Sequence, residues 1–490
     1  MSSIQTEVKE IGLYINGEYV QASNQGTFEV TNPATQEVIA RVSEATEQDV
    51  DLAVRTARDA FENGPWRTMP VSERSAKLRR MAEIILERKE EIARFDAMDV
   101  GKPYQSTVEH EVARAANNIR FFADLVEKQG GETFPMDEAY INYTRYEPVG
   151  VAALITPWNV PFMLTTWKLG PCLAGGNTAV IKPAENTPLS VSLLGEIAKE
   201  AGIPDGVVNV VQGLGSTVGT ALTEHPEVDL ISFTGSTTTG KRILKSGADT
   251  LKKVSFELGG KAANIVFEDA NLDKAIPVSI RAAFMNSGQV CLAGSRILVQ
   301  RTIFDEFLER FKQAAEDLKV GDPQDIETDM GPLVSEAHYK KVESYLDIAK
   351  EEGATLVTGG KRPKLPAYLQ NGYYLEPTIY VHDDPKSRIC QEEIFGPVVT
   401  IIPFDTEEEA LHIANDTEFG LNGVVWTENL QRAHRVSHSV RAGTIWVNCW
   451  FVRDLRAPFG GFKKSGIGRE GGRHSMEFFT EAKNICIALN

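Results

Sequence analysis

The sequence predicts an α/β fold with two sheet-centred units, and three observations carry that expectation. The chain has 490 residues, more than a single core holds at roughly 150 residues per domain. From Val149 to Gly260 short runs rich in Val and Ile alternate with segments of helical period, the pattern of stacked βαβ units. After Gly260 the alternation begins again.

Residues 50–127 read as helical, with Leu78, Met81, Ile85 and Ile92 forming an apolar stripe among Arg, Lys and Glu that core packing explains. Strands are expected near 149–156, 178–182, 207–212 and 229–234. Between the second and third of these, Thr187 can cap a helix, Pro188 suits its first position and Gly202 its end. The second region predicts strands near 263–267 and 296–300. An amphipathic helix follows over 303–318, because Phe304, Phe307, Leu308, Phe311, Ala315 and Leu318 fall on one face. The Pro- and Gly-containing stretches 359–377 and 457–472 read as loops, and there is no internal repeat or low-complexity tract.

Composition removes several function classes. Hydrophobic residues at 42% and charged residues at 24% describe an ordinary globular chain. Fifty-one basic against sixty-eight acidic residues leave a net charge of −17, which repels nucleic acid and anionic lipid, and no basic patch offsets it. Neither nucleic acid nor membrane is therefore an expected partner. Met1 to Gly12 carries acids and no apolar signal core, which points to the cytoplasm. The best apolar stretch, Val149 to Leu164, is cut by Pro157, Asn159 and Pro161, so it falls short of the about 20 apolar residues a span requires. The cysteines, Cys172, Cys291, Cys390, Cys449 and Cys486, form no CxxC pair. No metal site is expected; free thiols are, most of them buried and one open to reaction.

Gly235-Ser-Thr-Thr-Thr-Gly240-Lys241-Arg242 nearly spells a nucleotide-hydrolysing phosphate loop, but Arg242 stands where Ser or Thr must hold magnesium. What remains is a strand ending in a Gly/Ser turn that opens a helix, whose free N–H groups attract a phosphate or pyrophosphate. Gly213-Leu-Gly215-Ser-Thr-Val-Gly219 also follows a strand, one residue too long for GxGxxG, and a plain tight turn accounts for it equally well. Lys182-Pro183-Ala184-Glu185 puts a cation and a carboxylate at the carboxyl edge of a strand, where open α/β sheets bind ligands. A solvated ion pair is the alternative. If Glu185 instead grips an adenosine ribose, it repels a 2′-phosphate and favours NAD over NADP.

Cys291 lies in Asn286-Ser-Gly-Gln-Val-Cys291-Leu-Ala-Gly-Ser-Arg296, too rich in small and polar residues for ordinary core, although a buried inert cysteine remains the general expectation. Phe256-Glu257-Leu258-Gly259-Gly260-Lys261 ends a strand in a carboxylate beside two glycines that permit close approach. Pro157-Trp158-Asn159-Val160-Pro161 adds a side-chain amide in a rigid turn, able to bind an oxyanion.

Together these segments resemble the NAD(P)-dependent aldehyde dehydrogenase superfamily over nearly the whole chain. Seven ordered matches carry the likeness: Pro157 to Pro161, Gly176 to Glu185, Phe233 to Ser236, Phe256 to Lys261, Gly288 to Cys291, Glu392 to Pro397 and Pro458 to Gly461. The resemblance implies Cys291 as nucleophile, Glu257 as general base, Asn159 as oxyanion donor and NAD as cofactor. It assigns cofactor contacts to Ile155, Thr156, Pro157, Trp158, Lys182, Pro183, Ala184, Glu185, Gly215, Phe233, Gly235, Ser236, Leu258, Gly259, Glu393 and Phe395. Among these, Lys182 and Glu185 face the adenosine ribose, Ser236 the pyrophosphate, and Glu393 with Phe395 the nicotinamide half. The same likeness implies a Rossmann-type dinucleotide-binding domain (1–127 and 149–257) and an α/β catalytic domain (258–457). A β oligomerisation arm and C-terminal connection take 128–148 and 458–490. Tyr140, Tyr143, Tyr146 and the tail Thr480 to Leu489 alternate enough to complete a neighbour's sheet, so a homodimer or homotetramer is expected.

Two further segments, Asn117-Asn-Ile-Arg120-Phe-Phe-Ala123 and Asn448-Cys-Trp-Phe-Val-Arg453-Asp-Leu-Arg456, resemble the branch that oxidises 2-hydroxymuconate and 2-aminomuconate semialdehydes. Matching arginines there hold the substrate carboxylate, a task suited to a guanidinium fork. Arg120 and Arg453 are thus expected at the acid end of the substrate, with Trp167, Trp450 and Phe451 flanking a conjugated chain. Ordinary ion pairs with Asp124, Asp454 or another acid are the alternative. A 5-carboxymethyl-2-hydroxymuconate semialdehyde, or a general aliphatic or aromatic aldehyde, remains a competing substrate. A catalytically silent relative would lack the cysteine or the base, and both are present.

Overall fold

The computed structural model describes residues 8–134 and 136–489. Residues 1–7, where the reading against export begins, and Pro135 and Asn490 of the expected arm lie outside that range.

The first sheet has eight strands, in the order 466–467, 253–257, 230–234, 151–155, 178–182, 208–210, 13–15 and 18–20. Its five central strands are parallel. Val151–Ile155 and Thr178–Lys182 are buried throughout, as continuous apolar runs must be when helices cover both faces. Alternation sorts their side chains. Val151, Ala153 and Ile155 meet Val50, Ala53, Val54 and Ala57 of the helix Glu47–Glu62. Ala152 and Leu154 point the other way, into a core with Leu169 and Leu173 of the helix Pro161–Ala174. From Val151–Ile155 the chain lays two strands on one side, then crosses back to lay Leu230–Thr234 and Lys253–Glu257 on the other. That reversal opens a crevice at the carboxyl ends of Val151–Ile155 and Leu230–Thr234, the place where open α/β sheets take ligands.

A second sheet of seven strands runs 355–358, 378–381, 398–404, 296–300, 263–266, 422–426 and 444–447, with only the first antiparallel. A long ribbon pairs Thr480–Ala488 with Tyr140–Pro148, from Thr480 opposite Pro148 to Ala488 opposite Tyr140. Thr133–Phe134 pairs on its other edge.

Several elements differ from expectation. The helix expected over 187–202 is two short ones, Leu189–Ser192 and Leu194–Glu200. Thr187 does not cap it, because its buried hydroxyl donates to the Trp158 carbonyl at 3.1 Å, and Pro188 takes the cap position. Residues 50–127 divide into several helices, among them Glu47–Glu62, Val71–Glu87, Lys89–Asp99 and Val112–Val126. Gly466–Ile467, inside the expected loop 457–472, adds an edge strand against Phe256 and Glu257. Within the C-terminal connection, the helix Gly472–Phe479 buries Met476 and Phe479 in the core under the first sheet. Among the described residues no helix is long and apolar enough to cross a membrane, and no His, Cys, Asp and Glu group suits a metal ion.

Candidate active site

Cys291 follows a backbone that only special residues tolerate. Asn286, Ser287 and Gly288 all have positive φ, at 51°, 57° and 70°, a conformation that costs a non-glycine residue roughly 1–3 kcal/mol. Surrounding bonds hold it. Ser287 Oγ donates to the Gly331 carbonyl at 2.7 Å, and Gln289 Nε2 to the Asn286 carbonyl at 3.1 Å. Val334 N–H donates to Gln289 Oε1 at 3.0 Å. A side chain at Gly288 would collide with the Gly396 carbonyl, so glycine there brings the Glu393-Ile-Phe395 turn against the nucleophile loop.

Asn159 is stitched to the same loop. Its Nδ2 donates to the Gln289 carbonyl at 2.8 Å, and Asn286 Nδ2 donates back to the Asn159 carbonyl at 2.9 Å. The second amide hydrogen of Asn159 makes no hydrogen bond among the described residues. The Cys291 thiol is pushed up to about 12 by burial, with the Glu257 and Glu393 carboxylates adding to the shift, while Arg453 and its own backbone N–H pull the other way.

Glu257 closes the strand Lys253–Glu257. It is buried, and neither carboxylate oxygen has a hydrogen-bond partner among the described residues. Burial, then the Glu470 carboxylate, hold its carboxyl well above the ordinary range. Gly460 leaves it room, since a Cβ there would lie 2.9 Å from Oε1. Behind it, Glu470 accepts from Lys168 Nζ at 2.8 Å and Trp167 Nε1 at 2.6 Å. Lys168 and Glu470 lie far apart in the chain, and no local pattern announces them as partners. The pairing of Phe459 with Glu470 places the carboxylate.

Glu393 Oε1 accepts the Gly260 N–H at 2.8 Å, and burial raises its pKa. Phe395, at φ 61°, is held by His338, whose Nε2 lies 2.7 Å from the Phe395 carbonyl, and by Trp158, ring to ring at 5.2 Å. In the crevice, Ile155 pairs with Lys182 on one side and Phe233 on the other. Lys182 Nζ donates to the Pro183 carbonyl at 2.8 Å and lies 3.3 Å from Glu185, burial lowering its pKa. Thr156 Oγ1 accepts from Thr165 at 3.0 Å. Gly235 packs on Phe233, where a Cβ would come within 2.5 Å of the ring. Ser236 caps the helix Thr237–Ser246 and is exposed. Leu258 fits under Gly240, and Gly215 opens the short π-helical turn Gly215–Gly219, exposed over its first three residues.

Residues 19–485 match the aldehyde dehydrogenase family. The chain belongs to that family. It is 50% identical to a 2-hydroxymuconic semialdehyde dehydrogenase of Pseudomonas sp. (strain CF600), over 98% of this chain and 100% of the relative. It is 45% identical to a 5-carboxymethyl-2-hydroxymuconate semialdehyde dehydrogenase of Escherichia coli, over 96% and 99%. The NAD+ complex of an aldehyde dehydrogenase from Bacillus cereus superposes with a TM-score of 0.96 at 43% identity, covering 98% of this chain and 97% of that one. Aldehyde oxidation is thus the chemistry of this chain.

A cavity of about 830 Å³, lined among others by Arg114, Val160, Met163, Asn286, Val290 and Phe451, lies against the loop that carries Cys291. Two expectations need correction here. Arg120 is exposed, and the helix Val112–Val126 turns Arg114 toward the cavity instead. Six residues apart, the two lie roughly 120° apart around a helix and so point in different directions. Trp167 is buried behind the site, with the Arg453 guanidinium 5.0 Å from its ring and Glu470 on its edge, and so backs that arginine. The ion-pair alternatives also fail: Asp124 binds Arg79 at 2.8 Å and Asp454 binds Arg456 at 2.6 Å. Arg453 packs on Phe459 at 3.8 Å, its pKa lowered to about 10 by burial and by Arg114.

Proposed function

We propose that this aldehyde dehydrogenase uses NAD to oxidise a carboxylate-bearing semialdehyde, such as 2-hydroxymuconate semialdehyde, to the acid. The observation that carries the substrate class is a pair of guanidiniums. Arg114 lowers the pKa of Arg453, Arg453 in turn acts on Cys291, and among the described residues neither guanidinium has a carboxylate within ion-pair distance. Two unpaired cations near a reacting sulfur suit an anion that arrives with the substrate. The 5-carboxymethyl homologue would satisfy the same clamp.

The crevice fits a dinucleotide. The exposed helix start at Ser236 suits pyrophosphate, Glu185 beside Lys182 suits ribose hydroxyls and opposes a 2′-phosphate, and Glu393 with Phe395 stands on the side of Gly259 and Gly260. NAD, when bound, accepts the hydride released from the aldehyde carbon. The Cys291 sulfur attacks that carbon to form a thiohemiacetal, and the Asn159 amide with the Cys291 N–H meets the oxygen as it becomes negative. Loss of hydride leaves a thioester on Cys291. Glu257 then takes a proton from water, which releases the acid.

Charge reversal at Arg453 or Arg114 is expected to raise KM for an acid-bearing semialdehyde by on the order of 10- to 100-fold, with a far smaller change for hexanal. Steady-state assays with NAD and both aldehydes decide it; equal losses would remove the clamp.

We also read the ribbon Tyr140–Pro148 with Thr480–Ala488 as an oligomer contact of a cytoplasmic enzyme. It exposes Tyr140, Ile141, Tyr146 and Ile487, and so small a sheet rarely stands alone in water. Deleting residues 480–490 is expected to lower the mass measured by light scattering to a smaller assembly; an unchanged mass would reject this role.

A further inference from the structure

The turn that carries Glu393 and Phe395 rests on one face of the helix Glu336–Glu351. His338, Lys341 and Tyr345, spaced by three and four residues, share that face. His338 Nε2 reaches the Phe395 carbonyl at 2.7 Å, Lys341 Nζ donates to the Glu393 carbonyl at 3.0 Å, and the Tyr345 hydroxyl donates to the Glu392 carboxylate at 2.7 Å. Gly396 lets the turn settle there, since a Cβ would lie 2.7 Å from both methyls of the buried Val342. The helix is itself fixed at its start. Ser335 Oγ accepts the His338 N–H at 3.3 Å, and the preceding Val334 donates to Gln289 in the loop of Cys291.

His338 holds the turn by a ring nitrogen. A carbonyl only accepts, so the proton of the neutral imidazole is on Nε2. Burial, opposed by the Phe395 carbonyl and aided by Lys341, lowers the ring to about 4, which keeps it neutral near pH 7. The same ring lies 4.9 Å from Trp158, and Trp158 lies 5.2 Å from the Phe395 ring. Bond and packing thus converge on Phe395, a non-glycine residue at φ 61°, a conformation that persists only where its surroundings impose it.

We propose that His338 is a positioning residue for hydride transfer: through the Phe395 carbonyl it fixes the turn, and so sets where the nicotinamide half of NAD stands relative to Cys291. This rests on the reading above that puts Glu393 and Phe395 at the nicotinamide half. Without the Nε2 donor the turn relaxes and hydride transfer slows, while the sulfur and its base keep their places.

The test compares His338→Phe, which keeps a ring beside Trp158 and removes the donor, with His338→Gln, whose amide offers an N–H at similar reach. Calorimetric titration gives Kd for NAD, and the NADH burst is timed with hexanal and with hexanal deuterated at C1. Hydrolysis of p-nitrophenyl acetate without NAD, which needs the sulfur and Glu257 but no cofactor, reports on the rest of the site. His338→Phe is expected to slow the burst about ten-fold, enlarge its isotope effect, raise Kd for NAD about three-fold and hydrolyse the ester like the parent. His338→Gln should recover most of the loss. An unchanged burst and isotope effect in His338→Phe, a Gln variant no better than the Phe variant, or ester hydrolysis lost in proportion overturns the role of His338. Glu393→Gln is assayed beside them. If its burst and NAD affinity match the parent's, the nicotinamide reading of the turn falls first; if it loses either while His338→Phe keeps both, only the role of His338 falls.

Discussion

Cys291→Ala is expected to abolish NADH production, a loss on the order of 10⁴- to 10⁶-fold, while NAD still binds by titration. The expectation follows from where the sulfur sits. It is a half-buried thiol on the loop to which Asn159 is hydrogen-bonded, it feels the Glu257 carboxylate and the Arg453 guanidinium, and the preceding Val290 lines the cavity. Cys172 and Cys390 are buried in apolar cores, and burial pushes both thiols up, so neither can replace it. The Cys291 thiol is itself high, up to about 12, so at neutral pH the resting sulfur is protonated and only its ionised fraction attacks. A first-turnover burst that survived in Cys291→Ala would remove the nucleophile assignment.

Glu257→Gln separates the two halves of the reaction. Acylation needs the sulfur and the oxyanion donors, whereas release of the acid needs a base for water. The variant is therefore expected to keep most of its NADH burst and lose about 10²- to 10⁴-fold in steady-state turnover. The pH profile carries the same assignment. Burial and Glu470 raise the Glu257 carboxyl, which favours the protonated form, and a base works only when ionised. Turnover limited by acid release should thus fall as pH drops through a value well above the ordinary carboxylate range near 4.3, and Glu257→Gln should lack that limb. Equal losses of burst and turnover would refute the role.

Much of the first sheet is legible in sequence because its parallel strands are buried on both faces and so read as unbroken apolar runs. Thr178–Lys182 falls at the expected residues, and the amphipathic helix over 303–318 appears as Phe304–Glu316 with Phe307, Phe311 and Ala315 buried. The strands Leu13–Ile15 and Glu18–Val20 are too short for periodicity to reveal. Thr187 does not cap the helix expected after it, because that hydroxyl has a tertiary partner in Trp158.

The site divides in the same way. Motif residues such as Cys291, Glu257, Asn159 and Glu393 can be named from sequence, since each lies in a short segment of distinctive chemistry at a strand end. Arg120 shows the limit: a residue quoted from a matching segment faces solvent, while Arg114 on the same helix faces the cavity. Sequence alone determined the α/β class, the family likeness and the residues able to carry acyl chemistry, because these depend on local pattern and residue type. Only the tertiary structure decided which arginines stand near the sulfur and that Lys168 and Glu470 back the base. Those facts depend on helix rotation and on contacts between residues about 300 positions apart, which no local pattern encodes.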